Sequence, residues 1–324
     1  MAVNNTQLSN NSKSTSNYIK YLVFMVLEIP SVILYVAILI YFIRHCSVIK
    51  MLHNVGVFTL FVISFIQASC DLPIVIHFYR LGYVSPSTAG FCLWWTFFDF
   101  TLNTISELLM ATISIQRHIF VFHSNMLRVR KKRLLFHDVP IIFSVAYPIL
   151  LYIGLILIYR CDRDYWDFST LWCAGNACYA MESKFWSAYD WIVNNGVPVF
   201  IILLANITLI LRVLCQKRRL HQPISWQKQR RMTLQLFYIS SLYFISWLPN
   251  VIIGVIKRIS KIFAMIEFQS NYLYDFIYLV CVFIPYIILT MIPELKNWIR
   301  RIIFRTNKYY CASMNSCEWN GFIF

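Results

Sequence analysis

The chain has 324 residues, 59% of them hydrophobic and 13% charged, with a formal net charge of +15; a soluble domain carries roughly 25% charged residues. With 26 Phe, 20 Tyr and a mean hydropathy of +0.60, this excludes a soluble globular protein, and no polar stretch is long enough to bury a core of its own. Eight glycines are too few for the turns of a membrane β-barrel, and the basic residues sit in short segments between apolar runs, which is a topology pattern and not a groove for nucleic acid.

Residues 1–17 are rich in Asn, Ser and Thr, lack the apolar core of a signal peptide, and read as a disordered extracellular tail. Asn4-Asn5-Thr6 and Asn10-Asn11-Ser12 match the glycosylation acceptor pattern, which makes Asn4 and Asn10 candidate sites. Seven apolar segments follow, at 18–43, 54–79, 92–117, 138–159, 187–214, 231–256 and 270–292. Each is long enough, as a helix, to cross ~30 Å of hydrocarbon. The expected fold is therefore all-α, a seven-transmembrane helix bundle over 18–292. Pro140 and Pro148 interrupt the fourth segment, which neighbouring helices can tolerate. Residues 293–305 place Leu295, Trp298, Ile299, Ile302 and Ile303 on one face and Lys296, Arg300, Arg301 and Arg305 on much of the rest. That is a short amphipathic surface helix at the inner leaflet, in contact with membrane lipids. Residues 306–324 remain as a cytoplasmic tail in which Cys311 is a candidate for acylation.

An odd number of spans puts the termini on opposite sides. With the tail outside, the inner segments 44–53, 117–138, 212–231 and 294–324 hold 20 of the 29 Lys and Arg. The outer regions hold Asp162, Asp164, Asp167, Glu182 and Asp190. The positive-inside rule then predicts an extracellular N-terminus and a cytoplasmic C-terminus. Cys92, Cys161, Cys173 and Cys178 fall outside, where disulfides form, and allow three pairings. No His-Glu-x-x-His, Gly-rich phosphate loop or Gly-x-Ser-x-Gly is present. The seven histidines show no zinc-ligand spacing. No enzyme activity, metal or cofactor is expected.

The third span ends in Gln116-Arg117-His118, 25 residues after Cys92; the sixth holds Ser246-Trp247-Leu248-Pro249; Pro198 lies in the fifth and Pro285 in the seventh. In order and at matching depths, these resemble the Asp/Glu-Arg-Tyr, Cys-Trp-x-Pro and Asn-Pro-x-x-Tyr motifs of rhodopsin-like (class A) G protein-coupled receptors. The resemblance covers about residues 18–305. Gln116 replaces the acid of the first motif, the seventh span lacks the Asn and Tyr of the third, and the fourth span has no tryptophan. These departures point to a divergent, invertebrate-type branch of chemosensory or peptide character.

The resemblance implies a plasma-membrane receptor that passes an extracellular ligand signal to a heterotrimeric G protein. The ligand is left open between an amine, a peptide and a chemosensory small molecule. Gln116, Arg117, His118, Tyr243, Trp247, Pro249 and Pro285 would form the coupling and switch elements. Asp99, Asn103, Asn194, Trp247, Asn250, Tyr274 and Tyr278 would face the ligand. Asp99 matches the family's ammonium-binding aspartate and Tyr278 the tyrosine beside it; the same pair also reads as a tie between helices. The expected disulfides are Cys92–Cys178 and Cys161–Cys173, with an exchange of Cys173 and Cys178 standing close beside them. Against the receptor stands a seven-helix transporter or channel, in which the intramembrane carboxyl groups of Glu28, Asp71, Asp99 and Glu107 line a polar path. A membrane-embedded hydrolase would need acids or histidines meeting at one depth.

Overall fold

A computed structural model describes residues 2–45, 52–122, 129–159, 166–173, 178–219, 226–259, 268–291 and 295–301. Cys161, Cys311 and residues 306–324 lie outside the described residues, as do the side chains of Asn4, Asn10 and Cys178. Among the described residues there is no strand, and the backbone is almost entirely helical. In hydrocarbon this is the arrangement that lets each segment satisfy its own N–H and C=O groups.

The long helices follow the apolar runs. Helix α1 is Ala2–Arg44. Helix α2 spans 52–81, as Leu52–Ile66, a π-helical turn Gln67–Asp71 and Leu72–Leu81. Helix α3 is Ala89–Phe122. Helix α4 spans 130–158, with π turns at Leu134–Asp138 and Ile153–Ile158. Helix α5 spans 184–219, with a π turn at Asp190–Gly196. Helix α6 is Trp226–Ile259, and α7 spans 269–291, opening on the π turn Gln269–Leu273. Helix α8, Leu295–Arg301, lies at 89° to α7. The tail expected to be disordered is instead helical and continuous with the first span. It has no Gly and no Pro before Pro30, so nothing in it stops the helix that the apolar segment nucleates.

Among the described residues five stretches are long and apolar enough to cross a membrane: Ser14–Arg44, Val55–Leu81, Arg130–Ile158, Lys184–Thr208 and Phe237–Ile256; the bent pair Tyr274–Thr290 and Leu295–Arg301 passes the same test only when counted as one span. Their outer faces expose Val26, Ile33, Leu150, Ile158, Phe200 and Ile245. Exposed apolar side chains of this kind are a liability in water and the normal state in lipid. The chain is an all-α, multi-pass membrane protein.

Helix α3 occupies the middle, packed against α2, α4, α5 and α6. It buries Asp99, Asn103, Thr104, Ser106, Glu107, Ser114, Gln116 and Arg117, which its neighbours shield from lipid. Tyr35 of α1 donates to the carbonyl of Cys281 (2.6 Å) and Ser31 to that of Val282 (2.9 Å), fastening α1 to α7. At the other end of the same pair, Lys20 forms an ion pair with Asp275 (2.8 Å), which also accepts from Tyr79 of α2. In α8, Leu295 is buried and Trp298 packs edge-on against Tyr41, while Lys296, Arg300 and Arg301 are exposed.

Candidate functional site

A cavity of about 90 Å³ opens among α3, α4, α5, α6 and α7. Its walls include Asp99, Phe100, Asn103 and Thr104 of α3, Asp190, Trp191 and Asn195 of α5, Trp247 of α6, and Tyr274 and Ile277 of α7. Asp99 is 2% exposed. Its Oδ1 accepts from Asn103 Nδ2 (2.9 Å) and from the Tyr278 hydroxyl (3.1 Å). Asn103 Oδ1 accepts in turn from Gln67 Nε2 (2.6 Å). Asp71 neighbours Asp99 and accepts from Trp95 Nε1 (2.8 Å). The acidic wall is thus backed by a polar layer from α2, α3 and α7.

The loop 166–173 closes over this wall. Cys92, at the start of α3, is joined to Cys173. This corrects the expected Cys92–Cys178 pairing, and with Cys173 taken, Cys161–Cys173 falls as well. The physical reason is the turn at the loop's end: Trp172 and Cys173 both take left-handed backbone (φ 54° and 55°), which turns the chain down onto α3. Such a conformation costs a non-glycine residue roughly 1–2 kcal/mol. The covalent bond and the Trp172 contacts hold it in place. Trp172 Nε1 donates to the Tyr278 hydroxyl (3.1 Å), and its ring meets Tyr274 edge-on at 4.7 Å.

A second acidic wall was not foreseen. Asp190, counted among the acids of the outer loops, is 7% exposed and lies inside α5 on the cavity wall. Its carboxylate accepts from Tyr152 (2.7 Å), Tyr179 (2.8 Å) and Asn194 (2.7 Å). Tyr152 also bonds Thr104 of α3 (3.0 Å). The overlooked signal was Pro198: its ring cannot accept a straight α-helix before it, and the chain widens into the π turn Asp190–Gly196.

No protein-family model matches the chain, and no curated protein matches it either. The site is therefore read from its own residues.

Of the expected ligand-facing residues, Asp99, Asn103, Trp247 and Tyr274 line the cavity. Asn194, Asn250 and Tyr278 stand behind its wall. Asn194 bridges Asp190 and Tyr147. Asn250 donates to the carbonyls of Ser246 and Leu273 (3.0 Å each), tying α6 to α7. Tyr278 orients Asp99. Trp172, Trp191, Tyr152, Tyr179 and Asn195 line the cavity without having been expected there.

At the far end of α3, Arg117 is 4% exposed. Gln116 donates its amide to the His137 carbonyl of α4 (2.9 Å), and His118 bonds the Ala205 carbonyl of α5 (2.7 Å). The ion pairs among the described residues are Lys20–Asp275 and His137–Asp138, and Arg117 is in neither. Between the two ends, Glu107 is fully buried and neither carboxyl oxygen has a hydrogen-bond partner among the described residues.

Proposed function

We propose that the chain is a rhodopsin-like G protein-coupled receptor of the plasma membrane, with seven spans, the N-terminus outside and the C-terminus in the cytoplasm. The observation that carries this reading is the make-up of α3. One helix runs from a disulfide-anchored end at Cys92, through a cavity-facing carboxylate at Asp99, to a buried arginine at Arg117. A shift imposed at the cavity is thereby delivered to the opposite end of the bundle.

The ligand enters from outside and an ammonium group docks on Asp99, with Trp172, Trp191, Trp247 and Tyr274 offering ring faces to the cation. Trp247 precedes Pro249 in α6, whose missing N–H loosens the backbone at that point. Tyr243, one turn further in, is fully buried and carries the movement inward. The ligand favours the active arrangement by its difference in affinity for the two states. In that arrangement the inner face opens around Arg117 and the basic inner segments to a heterotrimeric G protein. Gln116 is engaged by α4 and no carboxylate among the described residues pairs with Arg117, so the off state is held loosely.

The test is basal G protein activation in membranes, wild type against Arg117→Ala at equal surface expression. A basal signal that falls at least about tenfold supports coupling through Arg117; an undiminished signal in the variant sinks it. The transporter or channel reading draws on Glu107, a buried acid with unpartnered oxygens, together with Asp71 and Asp99 on the same side of the bundle. Ligand-independent current or cation flux that disappears in Glu107→Gln would favour that reading.

A further inference from the structure

The cavity has two acidic walls with separate supports. Asp99 belongs to α3 and is held by Asn103 and Tyr278. Asp190 belongs to α5 and is held by Tyr152, Tyr179 and Asn194. The two donor sets share no residue. Phe100, Trp191, Trp247 and Ile277 add apolar and aromatic surface, and among the described residues no Lys, Arg or His lines the cavity.

One further atom points to an occupant. Ser187 lines the cavity one turn before Asp190 on α5; it is 1% exposed and its hydroxyl has no hydrogen-bond partner among the described residues. Leaving a buried hydroxyl unbonded costs about 1–3 kcal/mol. The cost is recovered when something in the cavity bonds it. An ammonium group carries three donors and no acceptor. It meets a carboxylate oxygen of Asp190, the Ser187 oxygen and an aromatic face together.

We propose that this cavity takes an organic dication: two ammonium groups joined by an apolar spacer, one at Asp99 and the other at Asp190 with Ser187. The inference rests on the cavity being the ligand site of the proposed receptor. A single ammonium meets one wall. A second, carried on the same spacer, reaches the other wall and the open hydroxyl, while the spacer lies along the aromatic and apolar lining. Anionic ligands face two carboxylates and are repelled, which is specificity by exclusion.

The experiment measures binding to the purified full-length chain in lipid nanodiscs by thermal stabilisation, with no G protein present. The probes are α,ω-diaminoalkanes from propane to decane and the n-alkylamines of the same lengths. The expected result is an optimum spacer length at which the diamine binds about ten- to a hundredfold more tightly than its monoamine. Monoamines that bind as tightly as diamines at every length overturn the dication and leave the Asp99 anchor standing. Stabilisation by neither series overturns both.

The second docking point is tested by Ser187→Ala, which removes a hydroxyl that no described residue bonds. It is expected to weaken the best diamine about three- to tenfold and to leave the monoamine unchanged. An unchanged diamine affinity overturns the placement at this wall. Asp190→Asn is expected to bring the diamine down to monoamine affinity, and it is informative where the Tyr152–Tyr179 tie survives the change.

Discussion

Asp99 keeps its Oδ1 occupied by two neutral donors, Asn103 and Tyr278, so its bonding does not require a cation, yet its charge faces the cavity. Asp99→Asn removes the charge and retains an oxygen for those donors. Thermal stabilisation by alkylammonium probes should weaken at least about tenfold, as expected for loss of a charged hydrogen-bond acceptor, with surface expression intact. An unweakened response would make Asp99 a helix tie and nothing more. Glu107 poses the opposite case, since nothing among the described residues bonds its carboxyl group. Glu107→Gln should leave the melting temperature unchanged or raise it by a few degrees, because a buried carboxyl group without a partner is costly. A loss of several degrees would mean that a bound ion or water holds the acid in the native protein. The two acids of the cavity differed in how readable they were. Asp99 was marked by its spacing from Cys92, whereas Asp190 was counted with its neighbours Asp162, Asp164 and Asp167 as an outer acid. What sets Asp190 apart is Pro198 downstream, a local backbone effect that composition does not weigh.

Three of the π turns end two residues before a proline: Gln67–Asp71 before Pro73, Leu134–Asp138 before Pro140, and Asp190–Gly196 before Pro198. A proline lacks the N–H of the ladder and crowds the carbonyl four residues back, so the turn ahead of it widens. Each widened turn carries an acid, and two of those acids, Asp71 and Asp190, are buried at or behind the cavity. The element positions were legible because each apolar run had the length of a span. The widened turns were not, since apolar periodicity is blind to a single inserted residue. Packing between elements is equally invisible in one sequence, and Gly254 illustrates it. A Cβ built on Gly254 of α6 would lie 2.3 Å from Cε3 of Trp191 on α5. Gly254→Ala should destabilise the protein by about 1–3 kcal/mol through overpacking and weaken amine binding, because Trp191 also lines the cavity. Thermal denaturation of Gly254→Ala, Trp191→Leu and the double variant reads the coupling. A double variant more stable than Gly254→Ala alone places the clash at Trp191, and strictly additive losses would place it elsewhere.

For the molecule as a whole, the covalent link is the first point to verify. Cys173 and Cys178 are five residues apart, and sequence spacing had no means of choosing between them; the left-handed turn at Trp172–Cys173 makes the choice. A non-reducing peptide map should join the Cys92 peptide to that of Cys173, and a Cys92–Cys178 link would refute it. The orientation of the bundle rests on charge distribution alone. The basic segments RVRKKR (128–133), QKRR (216–219) and NWIRR (297–301) fall at the same side in a seven-span thread, opposite Asn4 and Asn10. The cytoplasmic side retains Lys and Arg, so the N-terminal Asn-x-Ser/Thr sites should meet the glycosylation machinery. Wild type expressed in animal cells should shift to lower mass on enzymatic deglycosylation, and Asn4→Gln combined with Asn10→Gln should run at the lower mass without treatment. In the same cells, an epitope placed after Phe324 should be reached by antibody only after permeabilisation. An epitope stained on intact cells would reverse the bundle and put Arg117 outside. That would end the G protein reading regardless of what the cavity binds.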